Sequence, residues 1–148
     1  MPRPRSGFTL IEILIAVVII GILARIAIPR YRIVKEKAFR AGMVSDLKNL
    51  VGIQEGYLSV ANDYAGGITT GAQVVAPGSA GRISFVATKG NVITLSYRTT
   101  AANGPGWSAT VRNPKVTTTA YDICGIFVGH TSYSPNAAVK QSGTPACY

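Results

Sequence analysis

The chain has 148 residues, of which 15 are basic and 6 acidic, and a formal net charge of +9. This length suits one modest domain plus an anchor. A single histidine, His130, without a cysteine or carboxylate at metal-ligand spacing argues against a metal site, and we expect it in a turn or loop. No carboxylate pair, phosphate-binding loop or nucleophile elbow is evident, so we expect neither an enzyme, nor a metal, nor a cofactor.

The first predicted element is an apolar helix that begins at Phe8 and reaches Pro29. From Phe8 to Ile28 the sequence carries two charges, Glu12 and Arg25. A helix of this length covers about 31 Å, the thickness of the hydrocarbon core of a bilayer, so it can span a membrane. An ionised carboxylate such as Glu12 costs about 2.5 kcal/mol or more in lipid, and we therefore expect a partner for it. The alternative is a strained carboxylate that snorkels to the membrane surface.

The segment around Glu12 reads Gly7-Phe8-Thr9-Leu10-Ile11-Glu12, with Arg3 and Arg5 ahead of it and Pro29 at the end of the apolar stretch. This arrangement resembles the start of a type IV prepilin or pseudopilin. The resemblance implies that a prepilin peptidase cuts between Gly7 and Phe8 and methylates the new Phe8 amine. It also implies that Glu12 meets the Phe8 amine of a neighbouring subunit during filament assembly, which gives a buried carboxylate a positive partner.

A run of basic residues follows the apolar stretch: Arg25, Arg30, Arg32, Lys35, Lys37 and Arg40. It is either a solvated face or a surface that rests on anionic lipid headgroups. The positive-inside rule places such a run in the cytoplasm, whereas the resemblance places the leader there and the globular part outside. We follow the resemblance, which implies a single-pass inner-membrane subunit before assembly and an extracellular filament after it. A conventional signal peptide is the alternative, but the cleavage site that it needs near Ala24 is poor.

Three positions within the helix predict local behaviour. Pro29 removes one backbone hydrogen bond, so we expect a kink there and not an end. The resemblance implies that the segment from Gly21 to Pro29 loses helicity in a filament; alternatively, Gly21 only allows close helix packing. Arg25 departs from the family pattern, in which small apolar residues are usual at this point, and its side chain can snorkel to the interface.

Beyond Pro29 the pattern becomes amphipathic, with apolar residues at three- and four-residue spacings. We predict one helix from Phe8 to Ala61, ended by Asn62-Asp63 and the glycines that follow. Its second half is expected to pack on a sheet through Met43, Leu47 and Val51. The polar positions between the apolar ones are Asp46, Lys48 and Glu55.

The rest of the chain predicts a small antiparallel sheet. We interpret 68–81, which is poor in charge and rich in Gly, Ala and Thr, as a surface loop. Four strands are expected, and the first two form a hairpin across a turn at Lys89-Gly90-Asn91. The strands are Arg82–Thr88, Val92–Arg98, Trp107–Arg112 and Tyr121–Val128. The sequence thus predicts an α+β fold, a helix laid across a sheet of about four strands, and the pilin resemblance implies the same fold.

The tail from Gly129 to Tyr148 has no periodicity and needs a restraint. Cys124 and Cys147 can supply one, because a bridge between them would remove about 3 kcal/mol of unfolded-chain entropy in an oxidising compartment. Two free thiols are the alternative. The resemblance implies the bridge, since pilins have a C-terminal loop closed by two cysteines. Major pseudopilins usually lack that loop and carry acidic calcium ligands, whereas this region offers only Asp122.

Three functions remain open. The first is a structural subunit of a type IV pilus, with a leader over 1–7, a transmembrane and polymerisation helix over 8–29, and a head over 30–148. The second is a minor pilin or a type II secretion pseudopilin that primes a short fibre, and the third is a monomeric membrane-tethered domain. The resemblance implies several partners: copies of this chain, other pilin subunits, prepilin peptidase and the pilus assembly machinery of the inner membrane. Nucleic acid is left open as a partner.

Overall fold

The structure is a computed structural model, and it describes residues 7–78, 81–100 and 102–148. The predicted leader, 1–7, lies outside the described residues except for Gly7. By its internal contacts the chain divides into two compact units, Met1–Lys35 and Glu36–Tyr148. One helix, α1 (Leu10–Ala61), has residues in both units.

Helix α1 confirms the prediction of one continuous helix. It begins two residues after the predicted start, passes through Pro29, and ends at Ala61. Asn62 then adopts a φ of 53°, the left-handed conformation that commonly ends helices, and its N–H donates to the Leu58 carbonyl at 2.9 Å. The chain leaves the helix at the position that the sequence predicts.

Seven strands follow the helix in the described part of the chain: β1 (Ile68–Gly71), β2 (Gln73–Gly78), β3 (Gly81–Val86), β4 (Val92–Thr100), β5 (Gly104–Arg112), β6 (Ile123–Val128) and β7 (Ala146–Cys147). Five of them form an antiparallel sheet with the order β1-β4-β5-β6-β7, and β2 pairs with β3 as a separate hairpin. Two 3-10 turns occupy Thr119–Tyr121 and Thr131–Tyr133. The α+β class is confirmed, with five strands in the main sheet where about four were expected.

Two predictions about the strands are wrong. Segment 68–81 is not a surface loop, because it contains β1 and β2. Val74 and Ala76 in β2 are buried and alternate with exposed residues, which is the pattern of a half-buried strand. The expected hairpin of β3 with β4 does not form either, since β3 pairs with β2 while β4 pairs with β1 and β5.

The core joins the second half of α1 to the inner face of the main sheet. Met43, Leu47 and Leu50 are fully buried, whereas Val51 is only partly buried. Alternate residues of β4, β5 and β6 share the same cluster: Ile93, Leu95, Trp107, Ala109, Val111, Cys124 and Ile126. The two periodicities, of three to four residues in the helix and of two in the strands, therefore direct their apolar side chains into one core.

Asp46, one of the polar positions between the apolar residues of α1, is buried in this core. Its side chain is 3% exposed. The Thr88 hydroxyl donates to Oδ1 at 2.7 Å, and the Thr88 N–H and Asn91 Nδ2 donate to Oδ2 at 3.0 and 2.6 Å. Asn91 in turn accepts from Asn113 Nδ2 at 2.6 Å. Because a buried carboxylate needs donors, this network ties α1 to the turn before β4 and to the residue after β5.

We predict that Asp46→Ala lowers the free energy of unfolding by about 3 kcal/mol, because it leaves the buried Asn91 amide and two partly buried donor groups of Thr88 without their acceptor. Urea unfolding of the purified full chain checks this through the fluorescence of Trp107, the single tryptophan, which is fully buried. The control is Asp122→Asn, which breaks an ion pair with the largely exposed Arg112 and should cost less than about 1 kcal/mol. Equal losses in the two variants would contradict the buried network.

Glu36 makes a second link between α1 and the segment before β6. Oε1 accepts from the Thr117 hydroxyl at 2.7 Å, and Oε2 accepts from the Thr118 hydroxyl at 2.5 Å. Arg40 pairs with the same carboxylate at 3.4 Å, one helical turn away. The hydroxyls of Thr118 and Thr117 favour the ionised form and lower the pKa of Glu36 from 4.5 to about 2.

A lowered pKa in the folded chain predicts a specific dependence of stability on pH. Wild type should be more stable than Glu36→Gln above pH 4.5, and the difference should shrink as the pH falls from 4.5 towards 2, because the folded carboxylate then also binds a proton. Urea unfolding of both chains across this range measures the difference. Thr117→Val combined with Thr118→Val removes the two hydroxyl donors and should shrink the effect, while the Thr117 N–H and Arg40 remain. A difference between wild type and Glu36→Gln that does not change with pH would refute the assignment.

Candidate assembly segment

The start of α1 is closed by a reciprocal pair of side chains. The Thr9 N–H and the Thr9 hydroxyl both donate to Glu12 Oε2 at 2.8 Å, and the Glu12 N–H donates to Thr9 Oγ1 at 3.3 Å. This is a capping box, in which residues three apart satisfy two backbone N–H groups at a helix N-terminus. The sequence analysis missed it, although the Thr-x-x-Glu spacing directly before an apolar run is its usual signal.

The capping box holds the Glu12 carboxylate at the positive end of the helix dipole, four residues from Phe8. Oε2 accepts both hydrogen bonds from Thr9. The Phe8 side chain is 84% exposed. The two residues that the resemblance pairs across subunits therefore both lie at the N-terminal end of α1, where a second chain can reach them.

The surface of α1 from Leu10 to Ile28 is apolar on every side. All of its Leu, Ile and Val side chains are more than half exposed. Among the described residues, α1 is the one helix with a stretch long and apolar enough to cross a membrane. A helix that is apolar all round belongs in lipid or inside a bundle.

The other predicted positions in this stretch are open to the surroundings. A Cβ added at Gly21 would meet no described atom within 4 Å, so the chain itself gives no packing reason for a glycine there. Arg25 and Pro29 are both exposed, and the helix is continuous through them. The structure describes the helical form of the segment from Gly21 to Pro29; a loss of helicity in a filament stays a prediction.

The C-terminal tail is fixed on the main sheet. Cys124 and Cys147 form a disulfide between directly opposed residues of β6 and β7, as predicted. A second apolar cluster, which the sequence analysis missed, joins Phe127 of β6 to Tyr133 and Val139. The Gly143 N–H also donates to the Phe127 carbonyl at 2.8 Å. Strand β6 is thus buried on both faces, by the core on one side and by the tail on the other.

His130 lies in a turn, as expected. Its Nδ1 accepts from the Ser132 N–H at 3.2 Å and caps the turn Thr131–Tyr133. Among the described residues, no group of three or more His, Cys, Asp or Glu side chains could hold a metal ion.

An open groove of about 570 Å³ lies along β4, β5 and the start of β6. It is lined by Val92, Thr94, Thr110, Arg112, Pro114, Val116 and Ile123.

These features define a class: an α+β head with a disulfide-closed tail, carried by a helix whose N-terminal part can cross a membrane. Residues 2–27 match the family described as the prokaryotic N-terminal methylation motif. The chain therefore carries a prepilin-type N-terminus.

The chain is similar to proteins of two filament systems. It is 36% identical over 103 residues to the type IV major pilin protein PilA of Myxococcus xanthus, a match that covers 70% of this chain and 40% of that protein. It is 47% identical over 57 residues to the type II secretion system core protein G of Klebsiella pneumoniae, covering 38% and 40% of the two chains. The core protein G of Aeromonas hydrophila is 40% identical over 62 residues, covering 42% and 43%.

The chain thus spans about two fifths of the length of each of these relatives. No solved structure matches it significantly. The match to the major pilin is longer than α1 and the residues before it together, so part of that match falls within the strands.

We predict that breaking the disulfide lowers the free energy of unfolding by about 3 kcal/mol, because the bridge closes a loop across a sequence separation of 23. Urea unfolding of the wild-type chain with and without a reductant measures the loss without changing any side chain. Cys124→Ala combined with Cys147→Ala should be insensitive to the reductant. An unchanged unfolding midpoint after complete reduction would contradict the prediction.

Proposed function

We propose that the chain is a structural subunit of a type IV pilus, held in the membrane by its N-terminal helix and polymerised through the same helix into a surface filament. The observation that carries this proposal is the exposed apolar surface of α1 from Leu10 to Ile28, with one carboxylate, Glu12, near its start. Such a surface needs lipid before assembly and other apolar helices after it. The methylation motif and the similarity to a major pilin support the same function.

In this proposal, prepilin peptidase removes residues 1–7, and Phe8 becomes the methylated N-terminus. The amine of Phe8 is then a fixed positive charge at the end of an apolar helix. Glu12 of a neighbouring subunit neutralises it when the two helices pack in register, and the attraction between the two charges offsets the cost of removing both from water. Gly21 and Pro29 supply the positions where the helix adapts to its neighbours. The family relationship supports a role as a structural subunit and not as an enzyme.

A minor pilin or a type II secretion pseudopilin is the second candidate. The matches to core protein G of two organisms favour it, since they are the more similar per residue, at 47% and 40% identity. These matches are confined to 38% and 42% of this chain, whereas the match to the major pilin covers 70%. The disulfide-closed tail also supports the pilin, because the sequence resemblance associates that loop with pilins.

We predict that Glu12→Ala leaves the subunit processed and in the membrane but reduces filament number more than a hundredfold. Breaking a buried charge pair costs about 3–5 kcal/mol, and about 1.4 kcal/mol corresponds to a factor of ten. Filaments sheared from cells are counted by electron microscopy beside an immunoblot of the membrane fraction. Arg25→Ala should assemble nearly normally.

Two further variants separate the charge of Glu12 from its role in the capping box. Glu12→Gln keeps a side chain that can complete the box but removes the charge, so it should fail to assemble like Glu12→Ala. Thr9→Ala removes the hydroxyl half of the box but keeps the carboxylate, so it should still form filaments. Normal filament numbers for Glu12→Gln would sink the charge-pair mechanism and leave Glu12 as a helix cap.

A further inference from the structure

Four exposed basic side chains surround α1 where its apolar stretch ends. They are Arg25, Arg30, Arg32 and Lys35, and together with the exposed Tyr31 we name them the juxtamembrane ring. At about 100° per residue, the four cations project at roughly 0°, 140°, 340° and 280° around the helix axis, so no sector wider than about 140° lacks a positive charge. A helix packed by one face on a protein surface would carry its charges on the opposite side only.

The ring also lies at the correct depth for a membrane interface. Ile28 is the last aliphatic residue before Pro29; Arg25 lies three residues before it and Lys35 seven residues after it, so the ring extends over about 15 Å of helix. The headgroup layer of one leaflet is about 5–8 Å thick, and electrostatic screening in physiological salt extends about 8 Å beyond it. Tyr31 fits the aromatic belt at such an interface, and the Lys35 ammonium lies 5.6 Å from the centre of its ring.

The chain itself offers no anion for these cations. Among the described residues, the ion pairs are Arg40 with Glu36 and Arg112 with Asp122, and neither includes a ring residue. All six acidic side chains of the chain are described, and each has a partner elsewhere: Glu12 with Thr9, Glu36 with Thr117 and Thr118, Asp46 with Thr88, Glu55 with Tyr64, Asp63 with Tyr97, and Asp122 with Arg112. Within the described chain, none of these carboxylates forms an ion pair with a ring cation.

We infer that the juxtamembrane ring binds the phosphate groups of anionic phospholipids in the leaflet at the C-terminal end of the span. Phospholipid headgroups surround a membrane-spanning helix on every side, and each anionic headgroup carries a negative charge. This distribution matches the all-round placement of the cations. The inference rests on the proposed membrane anchoring and specifies how deep the helix lies in the bilayer. With Arg30 at the headgroups, Glu12 lies 18 residues away, or about 27 Å, near the opposite edge of a core about 30 Å thick. The ring thereby keeps the Glu12 carboxylate out of the bilayer centre.

The test uses the full chain in phosphatidylcholine bilayers with spin-labelled lipid probes, which report the lipids that contact the span. Wild type should prefer the phosphatidylglycerol probe over the phosphatidylcholine probe about fivefold, and the preference should fall at about 1 M salt, where screening extends only about 3 Å. Replacement of all four ring cations by Gln, a good helix former, should remove the preference. The matched control replaces four exposed cations of the head by Gln and should keep it: Lys48, Arg82, Lys89 and Lys140.

The remaining outcomes overturn the inference in distinguishable ways. No preference in wild type, or equal losses in the ring variant and the control, would exclude a specific lipid contact. Binding of wild type and the ring variant to duplex DNA is measured alongside. If the ring variant keeps the lipid preference but loses a DNA binding that wild type shows, the ring binds nucleic acid and not lipid. Absence of any span-bound probe lipid would refute the membrane anchor itself, whereas bound lipid without selectivity would refute the ring alone.

Discussion

Packing of Met43, Leu47 and Leu50 against the inner face of the main sheet is the contact on which the head depends. These three residues occupy one face of α1 and are completely buried among alternate side chains of β4, β5 and β6. Asp46 lies beside them and adds direction to an otherwise non-directional apolar contact, because its carboxylate accepts only where Thr88 and Asn91 present donors. The apolar core residues make the helix pack on the sheet, and the Asp46 carboxylate specifies the register of the helix on that sheet.

The distribution of charge follows from the small number of acidic residues. With six acids against fifteen bases, every carboxylate serves a local structural purpose: a helix cap at Glu12, links between elements at Glu36 and Asp46, and contacts near the end of α1 at Asp63. Part of the excess positive charge lies on exposed positions of α1 around the end of the apolar stretch, at Arg25, Arg30, Arg32 and Lys35. An apolar cylinder bounded by a carboxylate at one end and by cations at the other is a helix whose depth in a bilayer is defined at both interfaces.

Sequence periodicity predicted the features that depend on local pattern. The continuous helix and the strands at β5 and β6 appear at or close to the predicted residues. The bridge between Cys124 and Cys147, which the pilin resemblance implied, is also present. The hairpin of β3 with β4 was wrong for a physical reason: Lys89-Gly90-Asn91 has the composition of a hairpin turn, but Thr88 and Asn91 bind Asp46 of the helix, so the chain turns from one sheet to the other. Contacts between residues more than forty positions apart leave no local signal. The cluster of Phe127, Tyr133 and Val139 was missed for a different reason, because Tyr133 and Val139 lie in a tail that has no periodicity. The capping box of Thr9 and Glu12, by contrast, was readable from spacing alone.

The central claim is that the chain enters a surface filament as a processed subunit, and intact-mass spectrometry of sheared surface filaments tests it most directly. The account predicts an abundant species that begins at Phe8, with one added methyl group on its N-terminus and the two cysteines oxidised. A scarce species of that same mass would favour the minor pilin or pseudopilin. Absence of the chain from the filaments, or a species that starts at a residue other than Phe8, would contradict the account.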